Sequence, residues 1–436
     1  MFLLCLLINV KQLRLLLSAD SVETPLKCRL AAKGNDRKYM KLTEGTETYS
    51  HTCSEDDSVF TLAAMQAYSE SRGEKTGISM FDTGGAFCRV KTTSSLRLFL
   101  ELPHNLPHPL AGCFLEVFAA LYGLKESSRM FSLDVSECLA QDGFVQCVAS
   151  PSTFLVADPV ECGKKAFTTV HVDDFRVCHN DAPSLAEKLR LCLFRRYGDV
   201  TDCSSKPYCG VQHTVLPSGA VLLTQDQYIQ LVAGRVGVAH MTPVKCPGDY
   251  QKAINTLLYL HSTPGVGPVF KSSTIQRFVY ADAAFADQEN GSSSGAHFQC
   301  FGEFGAPFST NAKVQADVAV NPMTAEYFSA SGAVQSISHF SQFAEELGVP
   351  QVGPVTLTLD CQTDTNLVYA PEVTKKSRHM HAKHHYTRQA KERDVISIKH
   401  VTSPFMRSDN ITKVFSNSVF KSGRDSMLNR KATLEL

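Results

Sequence analysis

Apolar and polar positions along this chain alternate in two rhythms, one of period near 3.6 and one of period 2, and the changes between them outline the elements. Between 57 and 68 a carboxylate precedes apolar residues at Phe60, Leu62, Ala63, Met65 and Ala67. That pattern predicts a helix whose acidic start suits the positive end of its dipole. Positions 77–81 predict a short strand delivering Asp82, and 127–141 predict a second helix with Phe131, Val135, Cys138 and Leu139 on one face and Gly143 as its stop. From 165 to 178 two β-rich runs flank Asp173 and Asp174. Aspartate suits a turn and the flanks suit strands, so a hairpin with the pair at its bend is expected. An amphipathic helix over 184–197 and a hairpin over 211–223, turned at Pro217, Ser218 and Gly219, complete an α+β unit.

Gly and Pro then cluster from about 232 to 273 around one predicted helix, 250–260, marking a boundary. Past it, strands are expected at 277–280, 297–301, 355–359 and 395–401, with a turn at 291–295 and a helix over 325–340, giving a mixed sheet with flanking helices. The opening 18 residues are apolar but broken by Asn9, Lys11, Gln12 and Arg14, and no cation precedes the 2–7 run. They lack the form of a signal peptide and are too short to span a membrane, so they read as a buried element or as sequence foreign to the rest.

Composition narrows the class. The chain's 436 residues accommodate two or three domains, and 43% hydrophobic with 20% charged residues excludes a disordered polymer. Fifteen cysteines lie scattered from Cys5 to Cys361 without a Cys-x-x-Cys pair, which favours reduced, mostly buried thiols over a disulfide scaffold. A net charge of zero means that any nucleic-acid contact must be local. The stretch 375–400 concentrates Lys375, Lys376, Arg378, Lys383, Arg388, Lys391, Arg393 and Lys399, and is either a solvated face or a phosphate-binding one. Its His379, His381, His384 and His385 have no cysteine or carboxylate at zinc-ligand spacing.

Transfer of a nucleotidyl group needs two divalent cations about 3.5–4 Å apart, held by hard oxygen ligands. An Asp-Asp hairpin beside a third aspartate at the end of a neighbouring strand supplies such ligands, although most Asp-Asp turns are only solvated loops. The context here is specific. Lys27-Cys28-Arg29-Leu30-Ala31-Ala32-Lys33-Gly34, Phe81-Asp82-Thr83-Gly84-Gly85-Ala86-Phe87, Leu121-Tyr122-Gly123-Leu124-Lys125 with Arg129, His171-Val172-Asp173-Asp174, and Leu223-Thr224-Gln225 with Tyr228 follow in order. Together they resemble the reverse transcriptase of copia-type LTR retrotransposons. The resemblance implies Asp82, Asp173 and Asp174 as polymerase metal ligands. It implies Lys27 and Arg29 on the triphosphate, Tyr122, Gly123 and Lys125 at the nucleotide pocket, and Phe87 as a ring excluding a ribose 2′-hydroxyl, beside its plain reading as a core phenylalanine.

The second unit resembles the RNase H domain of the same family. Tyr280-Ala281-Asp282, Thr324-Ala325-Glu326-Tyr327, Leu357-Thr358-Leu359-Asp360 and Ser408-Asp409-Asn410-Ile411-Thr412-Lys413 carry that resemblance, which implies Asp282, Glu326, Asp360 and Asp409 as metal ligands. Arg378, His379, His384 and Arg388 would meet the hybrid backbone. The expected organisation is an atypical segment 1–26, reverse transcriptase fingers and a ferredoxin-like palm over 27–232, a shortened connection 233–273, an RNase H-like mixed α/β domain 274–415 and a tail 416–436. The implied cofactor is Mg²⁺ or Mn²⁺, and the implied partners are an RNA template, a DNA primer, an RNA–DNA hybrid and deoxynucleoside triphosphates, with no membrane. The implied location is the cytoplasm, within a virus-like particle, or the nucleus, without secretion. Departures also stand out: a shortened thumb, Gly84-Gly85 loosening the first catalytic strand, His171 for the usual tyrosine, Ser127-Ser128, and Phe131, Phe285 and Phe308 where the family carries tryptophan. They keep open an inactive remnant, or a chain in which only the RNase H is active.

Overall fold

The computed structural model describes residues 52–91, 112–124, 126–238, 252–361, 386–413 and 415–430, the short strands Cys5–Asn9, Arg14–Leu15, Cys28–Arg29 and Arg97–Glu101, and a few single positions. Two sheets dominate. The first is antiparallel with six strands in the order Val200–Asp202, Thr76–Thr83, Asp174–Asn180, Lys165–His171, Thr153–Ala157 and Val145–Gln146. Helices Ser127–Gln141 and Pro183–Tyr197 cover it, burying Phe131, Val135, Leu139, Leu185, Leu189 and Leu193.

The second sheet has five strands in the order Pro307–Val314, Ser294–Phe301, Arg277–Ala284, Val355–Leu359 and Ile396–His400. Its first three strands are antiparallel neighbours and its last two join in parallel. The parallel step needs a crossover, and the 25-residue helix Pro322–Glu346 provides it, capped at Asn321 through a 2.9 Å hydrogen bond from Thr324 N. The fold is therefore a mixed α/β one in two parts, built on a six-stranded antiparallel sheet and a five-stranded mixed sheet.

Helix Glu55–Ser71 joins the two parts. Ser54 Oγ accepts the Asp57 N–H at 3.0 Å, and Glu55, Asp56 and Asp57 occupy its first turn. Phe60, Leu62, Ala63, Ala64, Met65 and Ala67 are all buried, so the helix is apolar around most of its circumference and must be enclosed. It is packed against Asp174–Asn180 on one side and Pro307–Val314 on the other. Phe60 contacts Phe301, Phe308, Phe340 and Phe343 of the second unit, with ring centroids 4.9–5.8 Å apart. Glu346 accepts the Ala149 N–H at 3.0 Å and Lys165 donates to Gly348 O at 2.8 Å across the same seam. Phe60→Ala should cost about 3–5 kcal/mol, read from urea unfolding, and should weaken the two units together because they share this core.

Another link across the seam titrates. His339 Nε2 lies 3.0 Å from Asp57 Oδ1, and this hydrogen bond raises the imidazole above its ordinary 6.5. A raised histidine contributes stability fully below its unfolded value and loses it as pH climbs through the folded one. The stability advantage of the natural chain over His339→Gln should therefore be larger at pH 6 than at pH 8. Because the imidazole is partly exposed, it should stay below about 1 kcal/mol, measured by denaturant melts at both pH values.

Several expectations need correction. Gly84-Gly85 does not loosen the strand after Asp82: a Cβ on Gly84 would meet Asp199 Oδ2 at 2.4 Å, and Gly85 adopts φ +65° to turn the chain into Ala86–Arg89. Gly85 is favoured by its left-handed backbone, and a side chain at 84 would have to displace the exposed Asp199 carboxylate. Phe308 fills its place among three rings, whereas Phe131 borders a cavity of about 20 Å³ and Phe285 is 41% exposed, so no core gap exists at 285. The opening segment contributes Cys5–Asn9 as a strand paired in parallel with Arg97–Glu101. The tail holds helix Asn417–Met427, secured where Arg407 donates to Ser426 O at 3.0 Å and Met427 O at 3.1 Å. Among the twelve described cysteines no disulfide forms, and seven are buried.

Candidate active sites

The register of the first sheet builds the first site. Asp82 and Asp174 are direct partners on neighbouring antiparallel strands, and Asp173 occupies the two-residue connection between His171 and Asp174. Thr83 ties the turn to the Asp82 strand, its N–H reaching Asp173 O at 3.3 Å. Val172, the other turn residue, has φ +58°, a region that costs a β-branched side chain about 1–2 kcal/mol. Strain of this kind persists only where the surroundings fix it. Burial pushes the Asp174 carboxyl up, and the negative charges of Asp173 and Asp82 push it further. Three carboxylates so placed repel one another, and a cation between them relieves that repulsion.

The expected nucleotide contacts are less complete. Phe87 lies 5% exposed against Tyr122 and Phe131, at 5.2 and 5.1 Å between centroids, which is the core reading of that residue. Tyr122 is half-buried, and Gly123 is exposed at φ +86°. Arg29 lies in the strand Cys28–Arg29, while Lys27 and Lys125 fall outside the described residues.

The second site gathers side chains from distant parts of the chain. Asp282 is on the central strand Arg277–Ala284, Glu326 is in the first turns of Pro322–Glu346, and Asp360 follows the end of Val355–Leu359. One carboxylate oxygen from each lies within 4.8 Å of the others, a spacing that one metal ion could bridge. Asp282 is fully buried, and its surroundings hold it in place: Thr412 Oγ1 donates to Oδ2, and Lys413 Nζ lies 3.4 Å from Oδ1. Burial lifts its carboxyl to about 6, with Asp409 and Asp360 adding to the rise and Thr412 and Lys413 opposing it. Ser403 Oγ donates to Asp360 Oδ2 at 3.0 Å. Asp409, 9% exposed, starts the turn Asp409–Thr412 and accepts from Lys413 Nζ at 2.7 Å. All the donors are hard oxygens, a set that fits a divalent cation such as Mg²⁺ or Mn²⁺.

Thr412, Lys413 and Ser403 had no assigned part in the sequence reading. The only local signal was the four-residue step from Asp409 to Lys413, which brings two side chains to one side of a helical turn. Arg388 is corrected: it is 9% exposed within Tyr386–Glu392, a helix packed on Pro322–Glu346, so it is not on an open phosphate-facing surface. Arg378, His379 and His384 lie outside the described residues.

No family model matches the chain. The retrovirus-related Pol polyprotein from transposon RE1 of Arabidopsis thaliana is 23% identical over 359 residues, covering 69% of this chain and 24% of the polyprotein. That from transposon RE2 of the same plant is 22% identical with the same coverage. The chain's homologues are retrovirus-related Pol polyproteins of transposons. It spans about a quarter of the length of these relatives. Among solved structures, a foamy viral protease-reverse transcriptase in complex with double-stranded DNA matches at TM-score 0.48 and 11% identity, over 86% of this chain and 63% of that one. RNase H1 from Halobacterium salinarum matches at TM-score 0.22 and 16% identity, over 36% of this chain and 98% of its own. Among the described residues, no helix is long and apolar enough to cross a membrane.

Proposed function

We propose that this chain is the reverse transcriptase and RNase H portion of a copia-type retrotransposon polyprotein, with fingers and palm over 27–232, a shortened connection over 233–273 and RNase H over 274–415. Its substrates are deoxynucleoside triphosphates added to a DNA primer on an RNA template, and the RNA strand of the resulting hybrid. The observation that carries this reading is the convergence of Glu326 and Asp360 on the buried Asp282, alongside an Asp82–Asp174 pair held in strand register. A carboxylate cluster like the first of these is what two-metal phosphoryl chemistry needs, and the strand register sets a second acidic pair side by side.

At the second centre Asp282, Glu326, Asp360 and Asp409 would hold the metal, and at the first Asp82, Asp173 and Asp174. A bound divalent cation there supplies an activated water or a clamp on the phosphate oxygens. The chain's own work is positional. Thr412 fixes one oxygen of Asp282 and Ser403 one oxygen of Asp360, so ligand orientation is set by hydrogen bonds outside the carboxylates themselves. Burial of Asp282 keeps bulk water from its carboxylate and makes loss of its proton a condition of metal binding.

A second reading, in which only hybrid cleavage is active, is favoured by one contrast. Asp282, Glu326 and Asp360 offer oxygens within 4.8 Å of one another and Asp409 is joined to Asp282 through Lys413, while at the first centre Phe87 is enclosed in the core. Primer extension on an RNA template and hydrolysis of a labelled hybrid, run side by side with magnesium, test both. Absence of both activities in the natural chain would refute the proposal, and cleavage without extension would establish the second reading.

A further inference from the structure

Of the four carboxylates at the second centre, three come together in one cluster and the fourth, Asp409, is joined to that cluster through a lysine. Asp282, Glu326 and Asp360 offer oxygens within 4.8 Å of one another. Asp409 instead accepts from Lys413 Nζ at 2.7 Å, and the same ammonium lies 3.4 Å from Asp282 Oδ1. Lys413 thus bridges the two carboxylates that a second metal ion would have to share. Its side chain is 37% exposed, so it can leave towards solvent without disturbing the core.

We propose that Lys413 is a positioning residue that occupies the second cation position of this centre in the free protein. This rests on the reading of the site as a two-metal one. A divalent ion bound between Asp282 and Asp409 cannot coexist with an ammonium on the same two oxygens, because the charges are alike and the donor atoms are the same. The substrate-free centre therefore takes one divalent ion at Asp282, Glu326 and Asp360. A second enters only when Lys413 swings away, and an incoming backbone phosphate is the kind of anion that would draw it.

Calorimetric titration with Mn²⁺ in the absence of nucleic acid tests this, using the full chain in an Asp82→Asn/Asp174→Asn background so that the first centre does not contribute. The parent should take one ion. Lys413→Met should take two, or bind the second about tenfold more tightly or better, whereas Lys413→Arg, which keeps the charge, should behave like the parent. Unchanged stoichiometry and affinity in Lys413→Met would overturn the inference and mark the lysine as a structural partner of Asp409 only. A parent that takes up no ion, and is indistinguishable from its Glu326→Gln derivative, would instead refute the metal-site reading itself. Circular dichroism checks that Lys413→Met is folded, and Lys413→Gln gives the same readout if it is not.

Discussion

Glu326→Gln should lower magnesium-dependent cleavage of a labelled RNA–DNA hybrid by about 10²–10³-fold, leaving primer extension within about twofold. The glutamine keeps the size and planar shape of the side chain but removes one negative charge from a cluster whose members lie within 4.8 Å of one another. Glu326 is in the first turns of a 25-residue helix anchored by buried Ala330, Ala333, Val334 and Ile337, so the substitution should not shift the backbone. Retention of the natural cleavage rate would remove Glu326 from the centre.

Asp174→Asn should give the opposite separation, with extension lowered by about 10²–10³-fold and hybrid cleavage retained. It should also raise, not lower, the unfolding temperature of the metal-free protein. Burial and the neighbouring charges of Asp173 and Asp82 push the Asp174 carboxyl above its ordinary value, which means that its ionised form is disfavoured in the folded state. Removing the charge relieves that cost, provided the asparagine occupies the same place opposite Asp82. A thermal melt at neutral pH in chelator checks the sign. A clear fall would mean that Asp174 is held by stabilising contacts instead of poised for a cation. A stabilised variant that has lost extension would show the carboxylate paying a folding cost for its function.

Most elements were legible because the chain writes burial as periodicity. Helix 127–141 has the same bounds in sequence and structure, and the 165–178 hairpin forms, but its bend is Val172-Asp173 and Asp174 begins the next strand, opposite Asp82. The strand Pro307–Val314 was not anticipated, because it lies at the sheet edge with five of its eight residues exposed and so shows no alternation. Likewise the short strands Thr153–Ala157 and Val200–Asp202 gain their identity from neighbours rather than from their own pattern.

The sequence by itself determined the identity of the carboxylates, the hairpin that carries Asp173 and Asp174, and the two-part α/β organisation. Only the tertiary structure decided that the two parts share one phenylalanine core through helix Glu55–Ser71, because such packing joins residues hundreds of positions apart and leaves no local period. It also decided that Arg388 is buried, that Gly84 makes room for Asp199, and that Lys413 is bonded to Asp409 and lies beside Asp282. Charge and size are properties of a residue, whereas desolvation and pairing are properties of the place where the fold puts it.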